Sequence, residues 1–199
     1  RALADRVELV GFVEVEPKRA RTATEKWRVP YYEVLHPAMF DLKPDIVSVC
    51  VQPKDQELVI HRIMVDHPNV EGIWCEKPWV SGNVGKKPKV QVNYLRRADP
   101  THRELLSRYP RGRFIVYAKD DIHTRCHFED LAKWGKATLD YRTFDGPCAY
   151  IYTDYIMSIR FGPVFFDNGG INPAECMKGM LSNVLDAIEG KAELWSPPY

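Results

Sequence analysis

Short apolar runs alternate with amphipathic stretches through the first half of the chain. Residues 7–13 (VELVGFV), 45–51 (DIVSVCV) and 70–75 (VEGIWC) read as buried strands, because apolar side chains there follow one another without the alternation of a half-exposed sheet. Between them, residues 17–27 read as a charged surface helix. Residues 55–66 read as a helix that puts Leu58, Val59, Ile63 and Met64 on one side. This order predicts an α/β unit with a parallel sheet. The second half has another texture. Residues 90–94 are strand-like, and Asp99-Pro100 supplies an N-cap and a first-turn proline for a helix to about residue 108. Residues 113–118, 137–143, 148–153, 155–160 and 164–167 are rich in aromatic and β-branched side chains, and Asp145-Gly146-Pro147 forms a turn among them. They predict an open, mostly antiparallel sheet. A last helix opens at Asn172-Pro173 and closes at Gly190, with Met177, Met180, Leu181, Val184, Leu185 and Ile188 on its apolar stripe. The expected division is an α/β unit over residues 1–88 and an α+β unit over 89–199.

Charge adds an exclusion. Lys plus Arg number 28 against 27 Asp plus Glu, so no global field recruits nucleic acid or an anionic membrane. No apolar run approaches the roughly 20 residues of a membrane span. The five cysteines (Cys50, Cys75, Cys126, Cys148, Cys176) are widely spaced, mostly have apolar neighbours and form no CxxC. That suits reduced, buried thiols, Cys50 included, and a cytoplasmic protein. Two places look short for a complete α/β unit. Arg1-Ala2-Leu3-Ala4-Asp5 reads as the end of a helix whose strand and loop would lie ahead of Arg1. Residues 79–91 are few for a parallel crossover.

Chemistry gathers at Cys75-Glu76-Lys77-Pro78, directly after the third strand, since ligands of open α/β sheets meet the carboxyl ends of strands. A lysine there also suits a solvated surface paired with Glu76. Two further strings stand downstream, Val92-Asn93-Tyr94-Leu95-Arg96-Arg97-Ala98-Asp99-Pro100 and His127-Phe128-Glu129-Asp130-Leu131-Ala132-Lys133-Trp134. With ELVGFVEVEPKRA (residues 8–20) and PDIVSVCVQP (44–53), these motifs resemble, over most of the chain, the oxidoreductase family named after glucose-fructose oxidoreductase, inositol dehydrogenase and MocA.

That resemblance implies a Rossmann-like dinucleotide-binding domain, a C-terminal domain that carries substrate specificity, and a homo-oligomer, dimer or tetramer, formed through the C-terminal sheet. It implies hydride transfer between NAD(H), with NADP(H) as second option, and a hydroxyl or keto carbon of a sugar, cyclitol or related polyol. Lys77 carries over as the group that touches the reacting hydroxyl, and His127 as a proton acceptor whose ordinary pKa of about 6.5 lies near working pH. Where many members have aspartate four residues before that histidine, this chain has His123, a hydrogen-bonding group without fixed negative charge. That departure keeps other readings open. They are a catalytically silent nucleotide- or sugar-binding homologue, an NAD-dependent glycosidase that oxidises transiently, and a metal-dependent lyase or hydrolase on His123 and His127. The last lacks the glutamate of a zinc-protease helix, so no metal is expected.

On the cofactor side no G-x-G-x-x-G occurs. By resemblance Glu14 meets the adenosine ribose, which favours NAD, with Lys18 and Arg19 nearby to offset its charge. Gln52 and Pro53, with Glu76 and Lys77, lie toward the nicotinamide half. On the substrate side Tyr94, Arg96 and Arg97 leave the linking strand toward the cleft with His123 and His127. The arginine forks suit a carboxylate or phosphate, or equally interdomain salt bridges. Asp120, Asp121 and Asp167 are polar loop candidates without an assigned role.

Overall fold

The structure, a computed structural model, describes residues 3–79, 87–108, 111–146, 149–153, 164–167 and 172–195. The first half starts with β1 (Phe12–Val13), α1 (Pro17–Trp27), β2 (Tyr31–Tyr32) and α2 (Leu35–Leu42). It continues with β3 (Ile46–Val49), α3 (Pro53–Asp66), β4 (Gly72–Cys75) and β5 (Lys89–Val92). β1 pairs in parallel with β2, and β3, β4 and β5 form a second parallel sheet in that order. Pro17 opens α1 where its missing N–H costs nothing. The Glu16 carboxylate accepts from Lys18 and Arg19 N–H, and Arg28 closes the helix in the left-handed region.

Three expectations are corrected here. The strand over residues 7–13 is confined to Phe12–Val13, because only those two residues find partners, Tyr31 and Tyr32; Leu9 and Val10 are exposed. β2 and α2 were not expected. A two-residue strand and an eight-residue helix carry too little periodicity to stand out, and α2 starts at Leu35 with no side-chain cap. Cys50 is exposed rather than core, since it lies beyond the last residue of β3 on the side of exposed Ser48, opposite buried Val49.

The second sheet has the order β7-β6-β8-β9, from β6 (Arg113–Ala118), β7 (Thr138–Thr143), β8 (Ala149–Thr153) and β9 (Val164–Asp167). β6 runs parallel to β7 and antiparallel to β8, which is antiparallel to β9. The parallel pair follows from α5 (Ile122–Trp134), a crossover helix packed on both its strands. α4 (Pro100–Arg108) follows a single 3-10 turn at Leu95–Arg97, and α6 (Pro173–Ile188) starts at Asn172, whose side chain accepts two N–H groups. The strand expected at 155–160 lies outside the described residues.

Two apolar cores result. One gathers Val49, Ile60, Ile63, Ile73, Cys75, Val90, Val92 and Tyr94; the other gathers Leu105, Phe114, Val116, Phe128, Leu131 and Tyr152. α5 serves both, burying Cys126 in the first and Phe128 and Leu131 in the second. β5 lies past residue 88 yet completes the first sheet, and α6 packs back on β4, β5 and the 3-10 turn.

Candidate functional site

The parallel register sets the carboxyl ends of β3, β4 and β5 side by side, followed respectively by Gln52-Pro53, Glu76-Lys77 and Asn93-Tyr94. The bend after β4 is held from three elements. Glu76 N–H donates to Val49 O at 2.9 Å, Gln56 Nε2 donates to Glu76 O at 2.6 Å, and Asn93 Nδ2 donates to Glu76 Oε1 at 2.6 Å. Gln56 and Asn93 are buried, so these bonds form out of water, where a lost partner is costly. Glu76 is thus engaged by its neighbours through N–H, carbonyl and carboxylate. Lys77, the next residue, is half-buried and joined to Pro78 by a cis peptide.

The charge of Lys77 reaches the α5 thiol of Cys126. Burial pushes that thiol up to about 11, with the Lys77 ammonium acting against the rise. Beside it on the helix, His127 meets the Tyr94 ring edge-on, centroids 6.0 Å apart. Tyr94 is buried, its phenol is pushed up to about 12 by burial, and its oxygen receives the Trp79 backbone N–H. Lys77, Tyr94, Cys126 and His127 therefore converge from the β4 bend, the β5 exit and α5. Three of the four are predicted site residues.

The other candidates fall elsewhere. Glu14 stands at the carboxyl end of β1, half-buried, with Oε1 accepting from Glu16 N–H at 2.9 Å. Lys18 and Arg19 are exposed on the first turn of α1, behind that bend. Gln52 is the N-cap of α3 but its side chain makes no capping bond, and Pro53 is the first helical residue. Arg97 closes a bidentate pair on Asp130 at 2.8 and 2.7 Å, both side chains 2% exposed, and donates to Trp195 O at 2.5 Å. Arg96 is buried with its guanidinium 4.9 Å over the Phe128 ring. Both arginines turn into the interior, and the Arg97 N–H donates to Tyr94 O at 2.9 Å. His123 lies in the first turn of α5, and its side chain is outside the described residues. Asp121 caps that helix through Thr124 N–H, and Asp120 pairs with Arg125 at 3.0 Å. Among the described residues no three His, Cys, Asp or Glu side chains gather as a metal site, and no helix is long and apolar enough to cross a membrane.

Sequence reasoning missed Gln56, Asn93 and Cys126. For Gln56 a signal existed: it shares the buried stripe of α3 with Ile60 and Ile63, and a polar group in an apolar stripe requires a partner. Asn93 stood inside a quoted motif without a role, because nothing local shows that its amide reaches a glutamate of the neighbouring strand.

Comparison with known proteins bears on the fold. Residues 1–91 match the family model GFO_IDH_MocA, described as an oxidoreductase family with an NAD-binding Rossmann fold. No curated protein matches the sequence. A dehydrogenase from Chromobacterium violaceum shares the fold with TM-score 0.66 at 13% identity, over 98% of this chain and 84% of that one. UDP-N-acetylglucosamine 3-dehydrogenase GnnA from Acidithiobacillus ferrooxidans does so with TM-score 0.68 at 12%, over 99% and 86%. The WlbA dehydrogenase from Chromobacterium violaceum, in complex with NADH and UDP-GlcNAcA, gives 0.64 at 13%, over 99% and 84%. At such identities the likeness is one of fold.

Proposed function

We propose that the protein, whose residues 1–91 match the GFO_IDH_MocA model of an oxidoreductase family with an NAD-binding Rossmann fold, oxidises or reduces a single carbon of a sugar, cyclitol or related polyol. The observation that carries this reading is that Lys77 and Tyr94 follow the carboxyl ends of parallel strands, where Tyr94 meets His127 of α5 and the Lys77 charge acts on the adjacent Cys126. The matched family model is one of NAD-binding oxidoreductases, which supports a dehydrogenase, and the structurally similar proteins include a UDP-N-acetylglucosamine 3-dehydrogenase and a dehydrogenase in complex with NADH and UDP-GlcNAcA, which supports a sugar-like substrate.

The residues present fit a dinucleotide. The half-buried Glu14 carboxylate keeps Oε2 outside its own turn for a ribose diol, and the Gln52 carboxamide at the start of α3 is not used in capping. Fixed negative charge at Glu14 disfavours a 2′-phosphate, so the assigned cofactor is NAD(H) before NADP(H). Nicotinamide, when bound, accepts or supplies the hydride.

Everything else falls to the protein. When a carbinol becomes a carbonyl its oxygen loses a proton. The Lys77 ammonium stabilises negative charge growing on that oxygen, and the neutral His127 imidazole takes the proton. Nε2 is the assigned acceptor, since solvent does not reach His127 Nδ1. Tyr94, protonated throughout the neutral range, is a hydrogen-bond donor that orients the substrate. Gln56, Glu76 and Asn93 are positioning residues that fix the bend from which Lys77 projects. Arg96 and Arg97 act as internal supports. Because β5 completes the first sheet, the cofactor-binding unit runs past the expected residue 88 to Val92, the substrate unit follows it, and the homo-oligomer forms through the β7-β6-β8-β9 sheet.

The test is Lys77→Met. Screened against sugars, cyclitols and UDP-sugars by nicotinamide absorbance, it is expected to lose about 10²–10⁴-fold in turnover while NADH affinity, read by fluorescence, stays within twofold of the parent. Full activity in the variant removes Lys77 from the mechanism. Sugar release by the parent without net NADH identifies a glycosidase instead.

A further inference from the structure

Arg103, Arg111 and Lys136 line a cavity of about 670 Å3 together with Leu106, Ser107, Trp134 and Gly135. The size is that of a small-molecule pocket, and among the described residues its lining carries three cations and no carboxylate. Four other guanidinium groups of this chain close on acids, Arg6 on Asp186, Arg97 on Asp130, Arg113 on Asp140 and Arg125 on Glu129, all within 2.9 Å. Arg103 instead lies 4.0 Å over the Trp195 ring, and its Nη1 is shut off from solvent with no hydrogen-bond partner among the described residues. Burial pulls this guanidinium below its ordinary range with no acid to restore it.

The other two cations sit on strained backbone. Arg111 has φ 66° and Lys136 φ 52°, both in the left-handed region that favours glycine. The two turns are joined, since Arg111 N–H donates to Gly135 O at 2.9 Å. The chain thus holds two long cations side by side on joined turns, Lys136 at the close of α5 as Arg28 is at the close of α1.

We propose that this cavity is a binding site for a diphosphate-bearing small molecule. Its three cations match the charge of a diphosphate, and the Arg103 and Arg111 forks suit its oxygens in bidentate contacts. The site shares no residue with the Lys77 cluster and stands whether or not the dehydrogenase reading does.

Because glycine is at ease where Arg111 and Lys136 stand, Arg111→Gly/Lys136→Gly removes two charges without straining the fold. Calorimetric titration of the purified protein with inorganic pyrophosphate at low salt is expected to show one site. The double variant is expected to weaken it by about tenfold or more, with an unchanged or raised thermal midpoint and unchanged NADH affinity. The last readout separates this cavity from the dinucleotide site. Pyrophosphate that binds the variant as it binds the parent, or does not bind the parent at all, overturns the proposal.

Discussion

His102 sits between a carboxylate and a phenol, all three buried. Asp99 Oδ2 bonds to His102 Nδ1 and to its backbone N–H, and His102 Nε2 faces the Tyr150 hydroxyl at 2.6 Å. A neutral imidazole satisfies both neighbours, with Nδ1–H donated to Asp99 and Nε2 accepting from Tyr150. Burial lowers the affinity of His102 for a second proton; Asp99 opposes that and the Arg96 charge reinforces it, leaving the group below its ordinary value. Burial also pushes the Asp99 carboxyl up, but the His102 bonds and Arg96 bring it below the carboxylate range. Both groups bind protons more weakly when folded, so the unfolded chain takes up more protons as pH falls. Stability is full above about pH 6.5 and declines from there toward the folded pKa of His102. Urea midpoints at pH 7.5 and 5.5 are expected to differ by up to about 1 kcal/mol in stability, and His102→Gln to flatten that dependence. An equal midpoint for the parent at both pH values contradicts this account.

At the level of elements, the site depends on how closely α6 approaches β4. Gly72 allows it: an added Cβ would stand 2.7 Å from Ile188 Cδ1 and 3.4 Å from Val184 Cγ1 and Ile46 Cγ1. Alanine displaces only the tip of Ile188, whereas valine drives a branched side chain into Val184 and Ile46 as well. Gly72→Val is therefore expected to cost about 1–3 kcal/mol in chemical denaturation, and Gly72→Ala clearly less. Equal costs would show that the helix shifts freely on the sheet. The same level explains the unequal legibility of the elements. α1 and α6 could be read because Glu16-Pro17 and Asn172-Pro173 announce them locally. β2 and α2 could not, since their apolar residues make sense only against partners distant in sequence, β1 for Tyr31 and Tyr32 and the first core for Leu35 and Met39. The parallel β6–β7 pair was hidden for a related reason: strand composition is the same in either direction, and the crossover helix decides.

Across the whole molecule, the interior ion pair is the main tie between distant segments. Arg97 from the 3-10 turn, Asp130 from α5 and the Trp195 carbonyl beyond α6 meet around one guanidinium, which also lies 5.4 Å from the Trp134 ring. Burial pushes the Asp130 carboxyl up and the Arg97 bonds oppose that. Removing one member leaves a buried charge alone, so Asp130→Asn is expected to destabilise the protein by about 3–5 kcal/mol. Arg97→Met/Asp130→Leu is expected to recover much of that loss; a double variant as unstable as the sum of the singles argues against a direct pair. The sequence by itself determined the parallel β3–β4 pair, the helices with capping residues, and the family motifs with Lys77, Tyr94 and His127 among them. These depend on periodicity and on short-range chemistry, which a linear chain carries in full. Only the tertiary structure decided that Arg97 turns inward to Asp130, and that Gln56 and Asn93 clamp Glu76. It also decided that Arg103, Arg111 and Lys136 share one cavity. A polar side chain's partner lies across the fold, and its role follows from that partner and from burial, neither of which its neighbours in sequence specify.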